Sequence, residues 1–493
     1  MITLLVTGSM LLVFFNVELT SLFYTIDFME KEKLTPAQKQ YMDMKMQHKD
    51  CILFFRMGDF YEVFYEDAKI ASKLCDLTLT SRDKNSSNPI PMAGVPYHSA
   101  EKYIAKLVAH GYKVAVAEQM SEAKAGQIVE RQVTAIITPG TYIQESQKQY
   151  SYIAGIAYSG GDLQNYHVAW GDFSVGQYRT QSFGAIEELL KFLLVLSPSE
   201  IVIDIDFAEK QEVEKYMSNF SHCLISTYDQ PAGVDELLQN ILGVQSLSSF
   251  GKALEDGRKL VFSLLVNYLR SVQKSSIHTI SSVAYDNSSD AVLLDNVTMK
   301  NLELFSSHYD GAKKYSLLGV TDYTKTALGA RLFREMLTRP TKNISTISRR
   351  QEQIEHYIAH RDDAEKISQT LSHMLDIPKI VSLILYKKHA PTTLGKLRYA
   401  LSLAEQIKEP LLTLGVEENV ITRCVELFQY LKNLLKEEGL NDEIDYICDG
   451  FDAEIDELRK IAYHSDELLI AYQQEVAASS KVANVKVKYI SNQ

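Results

Sequence analysis

The spacing of apolar residues changes once along these 493 residues, and that change restricts the possible folds more than any other feature. Upstream of about Ser246 the apolar residues gather in short runs with strand character: CILFFRM, DLTLTSR, YKVAVAEQM and RQVTAIITPG, then YIAGIAY, NYHVAWGDFS, VGQYRTQSF and the solid apolar IVIDI. Downstream they recur every three to four positions in long stretches, among them ALEDGRKLVFSLLVNYLRSV, RRQEQIEHYIAH, TLGKLRYALSLAEQI, VELFQYLKNLLKEEG and DAEIDELRKIAYHSDELLIAYQQEV. A period near 2 requires sheets and a period near 3.6 requires helices. The chain therefore reads as multidomain, α/β followed by all-α. A length of about three times ~150 residues agrees with two to four domains.

The boundaries expected from this pattern are an extension over 1–28, an α/β domain over 29–145 closed by the Pro139-Gly140 turn, and a second α/β domain over 150–245. A helical region over 246–475 and a final strand-like piece over 476–493 complete the chain. In the second α/β domain, strand runs precede the helical AIEELLKFLLVL, then SPSE, then IVIDI, the order of a meander feeding a crossover to a buried strand. The closing VANVKVKYIS has no partner strand within the sequence to complete its ladder, which reads as a chain cut inside an element.

Composition narrows the function classes. With 46% hydrophobic residues, 11 Pro and 23 Gly, the chain is not low-complexity or collagen-like. The formal charge of −12 argues against a simply basic nucleic-acid binder, yet residues 29–141 come to only +1, so the acidity lies downstream. Five scattered cysteines with no CxxC suggest neither a zinc site nor a disulfide framework, and an intracellular setting is expected. The apolar start MITLLVTGSMLLVFFNVELTSLFYTIDF has no basic residue before its first run and is broken by Asn16 and Glu18, so it fits neither a secretory signal nor a membrane span. An upstream extension of a chain that begins at Met29 is the preferred reading, with a membrane anchor as its rival.

The stretch FFRMGDFYEVFYEDA, Phe54 to Ala68, carries the most chemistry. Gly58-Asp59 reads as a turn into an alternating segment, in which Phe60 and Glu62 share a face and Tyr61 points away. A ring and a carboxylate are then presented together, with Arg56 and Lys45 upstream. An amphipathic strand with core aromatics has the same pattern. As a site, an aromatic wedge can enter a destabilised base step, and a carboxylate near phosphates resists ionising and can donate a hydrogen bond to a base.

The run from LTPAQKQYM through GDFYEVFYEDA, with PIPMAGVPYHSAEKYIAKL, VERQVTAIITPGT, VTMKNLELF and LGARLFREMLTRP, resembles the bacterial DNA mismatch-recognition family MutS, from about Leu34 to Gln493. The resemblance implies a mixed α/β mismatch-recognition domain, a ribonuclease-H-like α/β connector and an all-α core with lever helices. It implies that Phe60 stacks on a mispaired base from the minor groove while Glu62 hydrogen-bonds it. More weakly, it implies that Met57 and Asp59 back the wedge, that Arg82 meets the DNA backbone, and that the Pro91–His98 segment is a rigid supporting loop. His98 itself reads as structural. Partners implied are mispaired or looped duplex DNA, a second copy of the chain, a MutL-type protein and a sliding clamp, with a cytoplasmic, nucleoid-associated location and no membrane partner.

Two departures from the family pattern matter. No GxxxxGK[ST] occurs, since Gly251-Lys252 and Gly395-Lys396 are followed by Ala and Leu, so no phosphate cradle is present, no ATP or Mg cofactor is expected, and the chain is not expected to be an enzyme. In DIPKIVSLIL the family's Glu-Arg after Asp-Leu is replaced, with Pro378 in its place, which puts any ion pair there in doubt. The carboxylates Asp172, Asp204 and Asp206 of the connector are a thin basis for a metal nuclease, Asp204 and Asp206 being expected on one strand face.

Overall fold

The computed structural model describes residues 35–82, 89–120, 129–143, 150–160, 165–218, 223–274, 280–286, 291–292, 294–385, 390–437 and 445–480. The 1–28 extension and the terminal VANVKVKYIS lie outside them. The chain divides into two units, 1–321 with 334–342, and 322–333 with 343–493. The first unit holds two six-stranded sheets and the second is helical among its described residues.

The first sheet is ordered β3-β4-β2-β1-β5-β6, from β1 (Cys51–Met57), β2 (Phe60–Phe64), β3 (Thr80–Arg82), β4 (Ile90–Pro96), β5 (Lys113–Gln119) and β6 (Arg131–Ile137). Helix α1 (Pro36–Gln47) starts where TPAQ dictates: Thr35 caps the Gln38 amide, the Gln38 side chain returns to the Thr35 amide, and Pro36 occupies the first turn. Tyr41 and Met42 of α1 pack on Leu53, Phe55 and Phe64 on one face of the sheet. On the other face α2 (Tyr65–Cys75) and α3 (Ala100–Ala109) bury Ala71, Ile104 and Leu107 against Ile52, Phe54, Val63 and Val95.

The second sheet is ordered β11-β10-β7-β8-β9-β12, from β7 (Ile153–Ser159), β8 (Asn165–Asp172), β9 (Gln177–Phe183), β10 (Glu200–Asp204), β11 (Leu224–Tyr228) and β12 (Ser282–Tyr285). The meander and the crossover through α4 (Ile186–Leu196) to a parallel β10 follow the expected order. Leu189 and Leu193 of α4 and Val213 and Met217 of α5 (Lys210–Ser218) cover one face. A further helix, α6 (Val234–Leu242), precedes the change of pattern at Ser246.

The other face is covered by α7 (Asp256–Gln273), and here the expected boundary is corrected. FSLLVNYLRSV, read as part of the opening of the helical region, packs on the second sheet, and β12 pairs in parallel with β9 beyond it. The reason is visible in the residues: Val261, Phe262, Leu264, Leu265, Val266 and Leu269 are all buried, a wide apolar face that needs a sheet to cover it. Close packing depends on glycine at Gly155, where a Cβ would lie 3.1 Å from the Leu265 Cβ.

Helices α8 (Asn296–Asn301), α9 (Leu317–Thr321) and α10 (Ala327–Thr338) follow. In the helical unit come α11 (Ile344–Ala359), α12 (Arg361–Leu371), α13 (Ile377–Leu385), α14 (Ala390–Gln406), α15 (Lys408–Thr413), α16 (Glu418–Leu434), α17 (Ala453–Tyr463) and α18 (Ser465–Ser480). The last two were one continuous helical stretch by periodicity, but helix geometry breaks at His464. Ile380, Leu397, Leu401 and Leu431 form its core. Pro378 sits in the first turn of α13, as the sequence allowed. An ion pair ends at this segment: the Arg331 guanidinium, fully enclosed, forks onto Asp376 at 2.6 and 2.9 Å, with the Lys379 ammonium 4.0 Å away. No helix among the described residues is long and apolar enough to cross a membrane.

Removing one member of a buried, forked pair strands the other. Arg331→Ala should cost about 3–5 kcal/mol by urea unfolding followed by helical ellipticity; a loss under about 1 kcal/mol would show that the pair is dispensable.

Candidate nucleic-acid interface

The β1–β2 hairpin turns at Gly58, whose φ of +60° is the left-handed region open to glycine. Past the turn, β2 pairs on both sides: Phe60 with Met57 and Pro96, Tyr61 with Arg56 and Val95, Glu62 with Phe55 and Gly94. Phe60 and Glu62 thus lie on one face with Met57, Gly94 and Pro96, as the alternation predicted. Tyr61 and Val63 face the other way into the α2–α3 core.

Exposure along β2 is graded. Val63 is 0% and Tyr61 7% exposed, Glu62 is half-buried, and Phe60 at 48% stands open at the strand end. Gly94, itself exposed, leaves the sheet bare beside the ring, since a Cβ there would sit 3.9 Å from the Phe60 Cδ1. This aromatic ring, flanked by glycine and proline on a strand whose other apolar side chains are buried, lies outside the core.

Several groups hold this edge in place. Arg131, at the start of β6, is only 8% exposed; its Nε donates to the Arg56 carbonyl at 2.7 Å and its Nη1 to the Gln40 Oε1 at 3.2 Å. Burial pulls the Arg131 guanidinium below the usual arginine value, and neighbouring Glu62 opposes that shift. The Gln119 side-chain oxygen accepts from the Gly58 amide and from Arg131 Nη2, each at 3.2 Å. The Tyr97 amide donates to the Asp59 carbonyl at 2.9 Å, and the Arg56 guanidinium lies 3.9 Å from the centre of the Tyr97 ring. Tyr61 donates to Glu118, and burial pushes its hydroxyl above the ordinary tyrosine value.

The other residues singled out in the sequence divide. Met57 lies directly opposite Phe60 in the hairpin and packs partly on the α1 face of the sheet, so it joins the edge to the core. Asp59 is exposed at the turn. Arg82 ends β3 opposite Ile90, and its side chain is outside the described residues. The Pro91–His98 segment is not a loop: Ile90–Pro96 is strand β4, hydrogen-bonded between β3 and β2, with a short 3-10 turn over Tyr97–Ser99. Its prolines and glycine hid a strand that its register makes the direct neighbour of Phe60 and Glu62. Lys45 turns away from the edge, pairing with Asp67 at 2.9 Å and donating to the Cys51 carbonyl.

In the connector, Asp172 is 2% exposed and accepts from the Ser174 amide, the Ser174 hydroxyl and the Ser151 amide, the role of a turn cap. Asp204 ends β10 and accepts from Gln230 and the Asp206 amide, so Asp206 lies in the following turn and not on a shared strand face. No group of three His, Cys, Asp or Glu able to hold a metal occurs among the described residues.

Family models described as MutS domain I, MutS domain II and MutS domain III match residues 35–146, 151–281 and 297–484. The chain belongs to the MutS family. The first sheet is its domain I and carries Phe60 and Glu62, while domain II reaches residue 281 and so takes in α7. Relatives named DNA mismatch repair protein MutS include that of Thermodesulfovibrio yellowstonii, 35% identical over 471 residues, 93% of this chain and 54% of the relative. Those of Caldicellulosiruptor bescii and Streptococcus suis are 33% and 32% identical over 473 residues each, covering 93% and 94% of this chain and 53% and 54% of the relatives. The chain spans about half the length of the curated relatives it matches.

Sequence reasoning missed Arg131 and Tyr97 in domain I. The only signal for Arg131 was a basic residue opening a β-branched run, and its partner Arg56 lies 75 residues away. The geometry makes a paired test. Gly58→Ala places a methyl in open space but at φ +60°, so it should cost about 1–2 kcal/mol of stability. Gly94→Ala, with only an ordinary 3.9 Å contact, should leave the urea midpoint unmoved. Equal midpoints for both variants would contradict the turn geometry.

Proposed function

We propose that this chain recognises mispaired or looped duplex DNA, with Phe60 as the wedge and Glu62 as the hydrogen-bonding carboxylate. The observation that carries the reading is the pairing of an open Phe60 with a half-buried Glu62 on one sheet face, beyond the part that α1 covers, two residues apart in a strand fixed on both sides. Membership of the MutS family, and the printed name of its relatives, supports the same reading.

The wedge works by energy difference. Entering a base step costs a few kcal/mol of unstacking, least where pairing is already defective, and stacking on an aromatic ring returns about 1–3 kcal/mol per base. A strand backbone already fixed by pairing on both sides loses little conformational freedom on contact. Glu62 supplies discrimination: an ionised carboxylate in a groove lined by phosphates is repelled, whereas one hydrogen-bonded to an accessible base edge is tolerated. Arg131, 8% exposed, holds the strand from behind and does not itself reach the duplex. Nucleotide hydrolysis forms no part of this proposal.

Titration against a mispaired and a matched duplex at one fixed salt concentration tests the reading. Phe60→Ala should weaken mispair binding about 5- to 100-fold, the worth of one stacked base, and change matched binding little. Glu62→Ala should raise matched binding and so reduce preference from the opposite side. Equal losses on both duplexes for Phe60→Ala would sink the wedge assignment.

A further inference from the structure

Where the first sheet meets the second, a carboxylate is wholly enclosed. Glu200 is 0% exposed at the start of β10 and collects donors from three other parts of the chain. Its Oε2 accepts from the Thr138 hydroxyl and, at 3.0 Å, from the Gly140 amide, both in the turn that leaves β6. Its Oε1 accepts from the Tyr268 hydroxyl of α7 and, at 3.4 Å, from the Ser226 hydroxyl of β11. The turn is closed on itself: the Thr138 amide donates to the Thr141 hydroxyl at 3.0 Å, and the Thr141 and Tyr142 amides return to the Thr138 carbonyl. Ser151 ties the same turn to the connector through the Pro139 carbonyl and the Ser199 hydroxyl.

Two features make this more than a satisfied core glutamate. First, the close approach is built in: a Cβ on Gly140 would stand 2.9 Å from Glu200 Oε2 and 2.9 Å from the Ile153 Cβ, so any side chain there would push the turn off β7 and β10. Second, β6 joins this cluster to the reading edge. Its last residue, Ile137, precedes Thr138, and its first, Arg131, donates to the Arg56 carbonyl beside Phe60. Seven residues, six of them paired with β5 around a bulge at Thr134, make a strut of about 23 Å between the two.

We propose that Glu200 is a positioning residue: it clasps the turn after β6 to the connector, and through β6 fixes the direction in which the sheet presents Phe60 and Glu62. The functional half of this inference rests on the DNA reading proposed above; the clasp itself does not. Burial raises the Glu200 carboxyl above the usual carboxylate range, with Thr138, Tyr268 and Gly140 opposing the shift through their hydrogen bonds, so donors from both domains hold one costly group. Removing a donor on the turn side leaves the buried acceptor short across the junction, which favours separation of the two surfaces.

The test uses the full chain and three variants: Thr138→Val and Gly140→Ala, which alter the reading-domain side, and Ser226→Ala, which removes a donor wholly within the connector. Hydrogen exchange and binding to mispaired and matched duplexes are measured for each. Thr138→Val and Gly140→Ala should speed exchange in the 138–142 amides about tenfold and lower the mispair-to-matched ratio about threefold or more, with β7 and β10 as protected as in the parent. Ser226→Ala should leave the ratio unchanged. An unchanged ratio in Thr138→Val despite faster exchange, or faster exchange throughout the connector, overturns the positioning role. Parent-like protection of 138–142 in both Thr138→Val and Gly140→Ala overturns the clasp. If the parent chain itself shows no mispair preference, the DNA reading fails, and the 138–142 amides alone decide whether the clasp exists.

Discussion

The register of β2 between β1 and β4 is the constraint on which the rest depends. A strand's side chains alternate, so a slip by one residue would turn Tyr61 and Val63 to the α1 face and drive Phe60 and Glu62 into the α2–α3 core. That slip is blocked by burial: Val63 and Val95 are 0% exposed and Tyr61 is held by Glu118. The turn at Gly58 sets the pairing on one side, and the Tyr97–Asp59 hydrogen bond closes it on the other. An open phenylalanine in this place is thus the outcome of a well-packed opposite face and not of a loose strand end.

The same principle reaches across the first unit. The strand that ends in the Thr138–Thr141 turn begins with the arginine that braces the hairpin, and the turn is fastened to a carboxylate enclosed in the connector. Helix α7 completes the junction, packing on the connector sheet and on β6 while lending Tyr268 to Glu200. The charge distribution suits this division of labour. Residues 142–493 carry −11 of the net charge, and the domain proposed to meet DNA is close to neutral, so acidity belongs to the scaffold.

What could be read from the residues was what is local. The alternation in FYEVF placed Phe60 and Glu62 on one face, TPAQ marked the start of α1, and the meander-crossover order of the second sheet followed from its runs. What escaped was set by distant partners. Strand β4 was hidden because Pro91, Gly94 and Pro96 weaken every local strand signal, and only pairing with β2 and β3 stabilises it. Helix α7 looked like the first of many helices because periodicity reports a helix but not the sheet it covers. Glu200 was one letter in SPSE; nothing nearby in sequence announces that Thr138, Ser226 and Tyr268 converge on it.

The claim that Phe60 enters the duplex at the defect is tested most directly by photochemical cross-linking. A duplex carrying 5-iodouracil at the mispaired position would be irradiated with the full chain and the adduct mapped by peptide mass spectrometry. The account predicts a cross-link on Phe60 that vanishes when the same base is correctly paired. Adducts confined to other residues, or of equal yield on matched and mispaired duplexes, would contradict it.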